Sequence, residues 1–160
     1  MLDEYKIKKY KKVNMLSQEV VAYDLLLADP DKYVLGSMLS GSLKSITSLW
    51  IDITQFKAIP HEEQQEYLDN KYGTWNDVII PGDEGDCFLY RENTNHNLGM
   101  IGCLSYIESL CGVFYRFSDQ KVFIKHYQDD SIPLYETTFE EFTQIVEWWI
   151  KEVKKLEAKS

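Results

Sequence analysis

The spacing of apolar residues changes along the chain, and the elements follow from it. In residues 1–13, Tyr5, Ile7 and Tyr10 alternate unevenly with lysines and fit either a short strand or a helix. Ser17 then has the chemistry of an N-cap, and Val20, Val21, Leu25 and Leu27 predict a short helix ending at Ala28. Asp29-Pro30 breaks the pattern, since the residue before proline avoids the helical region and proline suits a first helical turn. Tyr33, Val34, Met38 and Leu39 line a second helix that Gly36 weakens and Ser40-Gly41-Ser42 ends. Ile46, Leu49, Trp50 and Ile53 follow i, i+3, i+4, i+7, so residues 45–56 are predicted helical despite their strand-forming Ile, Thr and Trp. Pro60 opens a further helix with Glu62 and Glu63 in its first turn, running to Lys71 before Gly73.

From Trp75 the chain turns to short apolar runs between turn signals. Residues 78–80 and 87–90 read as two strands flanking Pro81, Gly82 and an acidic turn, Asp83-Glu84-Gly85-Asp86. Residues 100–104 and 112–117 are two more runs. Val113, Tyr115 and Phe117 alternate towards Asp119-Gln120, and Val122, Ile124 and His126 alternate away from it, as in a two-stranded ribbon. Asp129-Asp130-Ser131 is a loop, and Pro133 marks an edge. Thr138 and Glu141 form a capping-box pair ahead of a helix whose stripe is Phe142, Ile145, Val146, Trp149, Val153 and Leu156. Lysines 151, 154 and 155 suit its C-terminal turns. The expected architecture is α+β: N-terminal helices, an antiparallel sheet of four to six strands over residues 78–135, and a C-terminal helix packed on it.

Length adds that one domain should span residues 1–160. With 44% apolar residues, eleven Tyr, seven Phe and four Trp, the chain can build a core and still spare aromatics for an interface. The net charge of −9 is unevenly placed. Residues 1–12 hold five lysines against Asp3 and Glu4, and residues 151–160 four lysines against Glu152 and Glu157, leaving −14 between them. Such a body repels nucleic acid and attracts basic proteins. The lysine-rich start could touch phosphate or lipid headgroups, but reads first as a solvated edge or frayed end.

Cys87, Cys103 and Cys111 are odd in number and lack metal-ligand spacing, so buried free thiols and a cytoplasmic setting are expected. No signal-peptide pattern and no membrane-length apolar run is visible.

The order of signals resembles the SMI1/KNR4 (SUKH) superfamily. Its Pro-x-x-Tyr step is matched by Pro30-Asp31-Lys32-Tyr33 and the glycine that follows by Gly41. Its strand turn is matched by Pro81-Gly82-Asp83-Glu84-Gly85-Asp86, and its helix start by Thr138-Phe139-Glu140-Glu141-Phe142. Where the family prefers leucine before that proline, this chain has Asp29. The resemblance implies a mixed α+β fold and the role of an immunity protein that neutralises a toxin, often a nuclease.

His61, His96 and His126 lie in no catalytic motif, and the chain has no nucleophile elbow, zinc helix or phosphate loop. A Cys–His dyad such as Cys87 with His96 is geometrically possible; an enzyme is not expected, and a small hydrolase or transferase with an unrecognised site is the alternative from another class. Asp83, Glu84 and Asp86 with Asp129 or Asp130 could gather oxygen ligands for a cation, but EF-hand spacing is absent, so no metal or cofactor is expected. The expected site is a partner-binding patch of Asp83, Glu84, Asp86, Asp129 and Asp130 with Trp75 and Tyr90, facing a basic protein. An acidic face imitating nucleic acid, as in a phage anti-defence protein, is the other binding reading.

Overall fold

The computed structural model describes residues 2, 4–13, 16–64, 66, 67, 70, 78–80, 89–91, 98–103, 111–116, 119–126, 129 and 131–159. They form a mixed α+β structure. It opens not with a helix but with a long antiparallel hairpin, β1 (Tyr5–Val13) and β2 (Glu19–Leu27), in unbroken register from Tyr5 opposite Leu27 to Val13 opposite Glu19. This corrects the helix expected from Ser17. Ser17 instead holds the left-handed backbone of the turn, with φ 59°. Val21, Tyr23, Leu25 and Leu27 alternate inward on β2, while the neighbouring apolar Ala22 and Leu26 conceal that alternation in the sequence.

A 3-10 turn at Pro30–Lys32, capped by the Asp29 carboxylate accepting from the Asp31 amide at 3.0 Å, leads into α1 (Tyr33–Leu39). Strand β3 (Gly41–Ser42) pairs with β2. Ser42 then caps α2 (Leu43–Lys57), accepting from the Ser45 amide, so the helical spacing prevails over strand propensity in this segment. Helix α1 runs so close to β2 that a Cβ on Gly36 would lie 2.6 Å from the Leu25 carbonyl oxygen. Closeness, rather than a weak helix, is the use of that glycine. The Ser40 hydroxyl fastens the same junction, accepting from the Leu25 amide at 2.9 Å and donating to the Gly36 carbonyl at 2.7 Å.

Pro60 precedes a 3-10 turn, His61–Glu63, and beyond it Gln64, Glu66, Tyr67 and Asn70 are helical, in keeping with the helix expected here. Strands β4 (Val78–Ile80) and β5 (Leu89–Arg91) pair antiparallel. Strands β6 (Leu98–Cys103), β7 (Cys111–Arg116), β8 (Lys121–His126) and β9 (Tyr135–Thr138) form a meander. The expected single sheet is thus replaced: the described strands fall into three antiparallel sheets of three, two and four strands. The β7–β8 ribbon turns at Gln120, another left-handed residue with φ 54°.

The C-terminal helix, α3 (Phe139–Ala158), starts where its capping signal placed it. The Thr138 hydroxyl accepts from the Glu141 amide at 3.1 Å, while the Glu141 carboxylate takes the Thr137 hydroxyl at 2.8 Å instead of reaching back to the cap. Phe142, Ile145, Val146, Trp149 and Val153 are all buried, and the helix packs on α2 as well as on β8 and β9. One hydrophobic cluster runs from Leu2 through α1 and α2 to Val153. Phe56, Tyr115 and Phe139 meet edge to face within it, with centroids 4.9–5.3 Å apart.

Candidate partner-binding surface

Of the residues expected to bind a partner, only Asp129 has a described side chain. It is exposed, and it is occupied with its own loop: its carboxylate accepts from the Ser131 amide at 3.0 Å and from the Ser131 hydroxyl, and its amide donates to His126 Nδ1 at 3.1 Å. The Ser131 hydrogen bonds lower its pKa below the usual value of 3.8. Asp129 is thus a turn-forming carboxylate. Tyr90 lies on β5, opposite Ile79. Asp83, Glu84, Asp86, Asp130 and Trp75 lie outside the described residues, as do Cys87 and His96. Among the described residues no group of three side chains has metal-binding geometry, and no helix is long and apolar enough to cross a membrane.

A second surface was not singled out from the sequence: the N-terminal hairpin. Its two faces differ. Tyr5, Ile7, Lys9, Lys11 and Val13 share one face with Val21, Tyr23, Leu25 and Leu27, whereas Lys6, Lys8, Tyr10 and Lys12 share the other with Val20, Ala22, Asp24 and Leu26. At the base the first face docks on α3. Tyr5 meets Trp148 edge to face at 4.9 Å, and the Tyr23 hydroxyl donates to the Glu157 carboxylate. Burial, then the Glu157 hydrogen bond and charge, push the Tyr23 hydroxyl up to about 12. Towards the tip, burial fades. Glu19 is exposed and Val20 and Val21 are half-buried, while Val13 and Leu16 are 67% and 72% exposed. The tip therefore projects as an arm.

The arm's charge is carried by β1. Five lysines occupy nine positions, and β2 answers with only Glu19, 3.4 Å from the Lys11 ammonium, and Asp24, which accepts from the Tyr10 hydroxyl at 3.1 Å. Lys8 lies 5.8 Å above the ring of Tyr10, two residues on along β1, and Lys9 lies 5.9 Å from the ring of Tyr23, directly across on β2. At the base, Glu4, Tyr5, Lys6, Leu26, Leu27 and Ala28 line an open groove of 470 Å³. A 230 Å³ hollow formed by Leu2, Glu4, Leu27, Asp29 and Lys32 adjoins it. The missed signal was alternation: Tyr5 and Ile7 share one face, but Tyr10 faces the other way and obscures the period.

One polar chain crosses the core's edge. Tyr115 donates to Gln64 Oε1 at 3.1 Å, His61 Nδ1 lies 3.2 Å from the same oxygen, and Gln120 Nε2 lies 3.3 Å from that ring nitrogen. Burial first, then the charge of Asp119, push the Tyr115 hydroxyl up to about 12. A neutral tyrosine satisfied by an amide is a structural arrangement.

No family model, curated protein or solved structure matches the chain.

Proposed function

We propose that the chain is a stoichiometric protein-binding inhibitor, of the immunity type, that acts by occluding its target. The observation that carries this reading is the placement of exposed apolar bulk. Of the six large hydrophobic side chains exposed among the described residues, five fall within residues 5–33: Tyr5, Val13, Leu16, Leu26 and Tyr33. They lie along the hairpin, on both of its faces and at both of its ends, and at the start of α1, and so offer a partner several apolar anchors on this part of the fold. The acidic bulk of the chain supports a partner of basic overall charge, because opposite fields speed encounter and orient it.

The test is inhibition. The product of a neighbouring gene is purified, and its activity is titrated with this chain. A break at one-to-one stoichiometry, with rescue of growth on co-expression, supports the reading. Turnover by this chain alone, lost when His61, His126 or a cysteine is replaced in a variant that still folds, would replace it with an enzyme.

A further inference from the structure

The hairpin's hydrogen-bond phase shows what its outer edge offers. The Ala28 amide donates to the Glu4 carbonyl at 3.4 Å, which continues the β1–β2 register by one step. Hydrogen-bonded and non-hydrogen-bonded pairs alternate in an antiparallel ladder. Glu4, Lys6, Lys8, Tyr10 and Lys12 therefore face β2 with their backbone groups, and Tyr5, Ile7, Lys9, Lys11 and Val13 direct theirs away from it. The Leu25 amide agrees with this phase: it turns from β1 to the Ser40 hydroxyl. Among the described residues no strand lies on the outer side of β1, which is the edge of its sheet. That edge is nine residues long and in unbroken register, with basic side chains on both faces.

We propose that the β1 edge docks an acidic, extended segment of a partner protein as an added antiparallel strand. The proposal rests on the inhibitor reading and supplies its recognition element. Edge lysines ordinarily deter strand addition, because a second copy would set lysine against lysine. The same lysines favour a strand bearing carboxylates. A nucleic acid fits less well: phosphates accept hydrogen bonds but donate none, while this edge presents amides and carbonyls in alternation, and the rest of the chain is acidic. The faces also specify the pattern of the incoming strand. Opposite Lys6 and Lys8 it carries carboxylates. Opposite Tyr5, Ile7 and Val13 it carries apolar side chains, and those apolar residues supply the amides that bond to β1.

The probe is a fluorescein-labelled nine-residue peptide of alternating glutamate and valine, followed by anisotropy with the full chain at two salt concentrations. Binding that weakens with salt is expected. N-methylation of the valines should abolish it, whereas N-methylation of the glutamates should leave it, because only the valine amides face β1. Lys6→Glu with Lys8→Glu should weaken it roughly tenfold or more, since two attractive charges become repulsive. Equal binding of both methylated peptides would reduce the edge to a charged surface and overturn the proposal. So would tighter binding of a thymidine oligonucleotide, no peptide binding, or a dimer of the chain that covers β1. If the Lys6→Glu, Lys8→Glu variant still inhibits the target one to one, the docking proposal fails and the inhibitor reading survives. If the valine pattern holds but no target is inhibited, the inhibitor reading alone fails.

Discussion

Replacing Trp149 by phenylalanine separates two contributions to the core. The indole is fully buried, and its Nε1 donates to the Leu39 carbonyl at 2.7 Å. Leu39 ends α1, so that carbonyl belongs to the last turn and has no partner within the helix. An indole 110 residues away therefore finishes the helix. Phenylalanine leaves the carbonyl buried and unbonded, a loss of ~1–3 kcal/mol. It also leaves a void of roughly 40 Å³, which at ~24 cal/mol per Å³ adds about 1 kcal/mol. The expected loss is roughly 2–4 kcal/mol, against ~3–5 kcal/mol for the Trp149→Ala truncation before the orphaned carbonyl is counted. Urea unfolding measures both. With a slope of ~2 kcal/mol per molar, Trp149→Phe should move the midpoint down by roughly 1–2 M at unchanged slope. A loss under ~1 kcal/mol for the phenylalanine variant would equal the void alone, and would refute the idea that the indole completes α1.

Two further outcomes follow from the packing. Gly36→Ala should lower the melting temperature although alanine favours helices by ~1 kcal/mol, because the added methyl meets the Leu25 carbonyl and overpacking costs ~1–3 kcal/mol; an unchanged or higher melting temperature would place α1 farther from β2. Tyr23 and Tyr115 both have hydroxyls pushed up to about 12 from the ordinary 10, so the folded state favours their neutral forms: this contribution is complete below pH 10 and is lost as pH rises towards 12. Urea midpoints measured across that range should fall, and Tyr23→Phe should make the fall shallower; an equally steep fall in the variant would acquit Tyr23.

Legibility in the sequence tracked how locally each element is specified. Helix α3 was readable because a cap, a stripe and a charged end all agree within twenty residues. The β7–β8 ribbon was readable because its alternation is clean. Strand β2 was not, because Leu26 is apolar yet 48% exposed and Ala22 is buried on the opposite face from Tyr23. Both break the period-two pattern for reasons that lie in other segments. The use of Gly36 was equally invisible, since it depends on a carbonyl eleven residues upstream. For the interaction surface, carboxylates drew attention by their density. Asp129 turned out to serve its own turn, whereas β1 depends on which edge its backbone faces, a property that composition does not carry.

The clasp between hairpin and last helix has a consequence for biogenesis. Tyr5 with Trp148, Tyr23 with Glu157, and Leu39 with Trp149 join segments more than a hundred residues apart. Contacts of such separation close large loops and slow the search for the folded state. During synthesis the hairpin emerges early, but the helix that seats its base is made only after the entire meander. Until then Tyr5 and Tyr23 lack their partners on α3, although α1 can already cover β2 at Leu25 and Leu27, and a nascent chain in that interval still exposes part of its core. The hairpin acquires its fixed place last, so under the proposed docking mode competence to bind would arrive with residues 148–157 rather than with β1 itself.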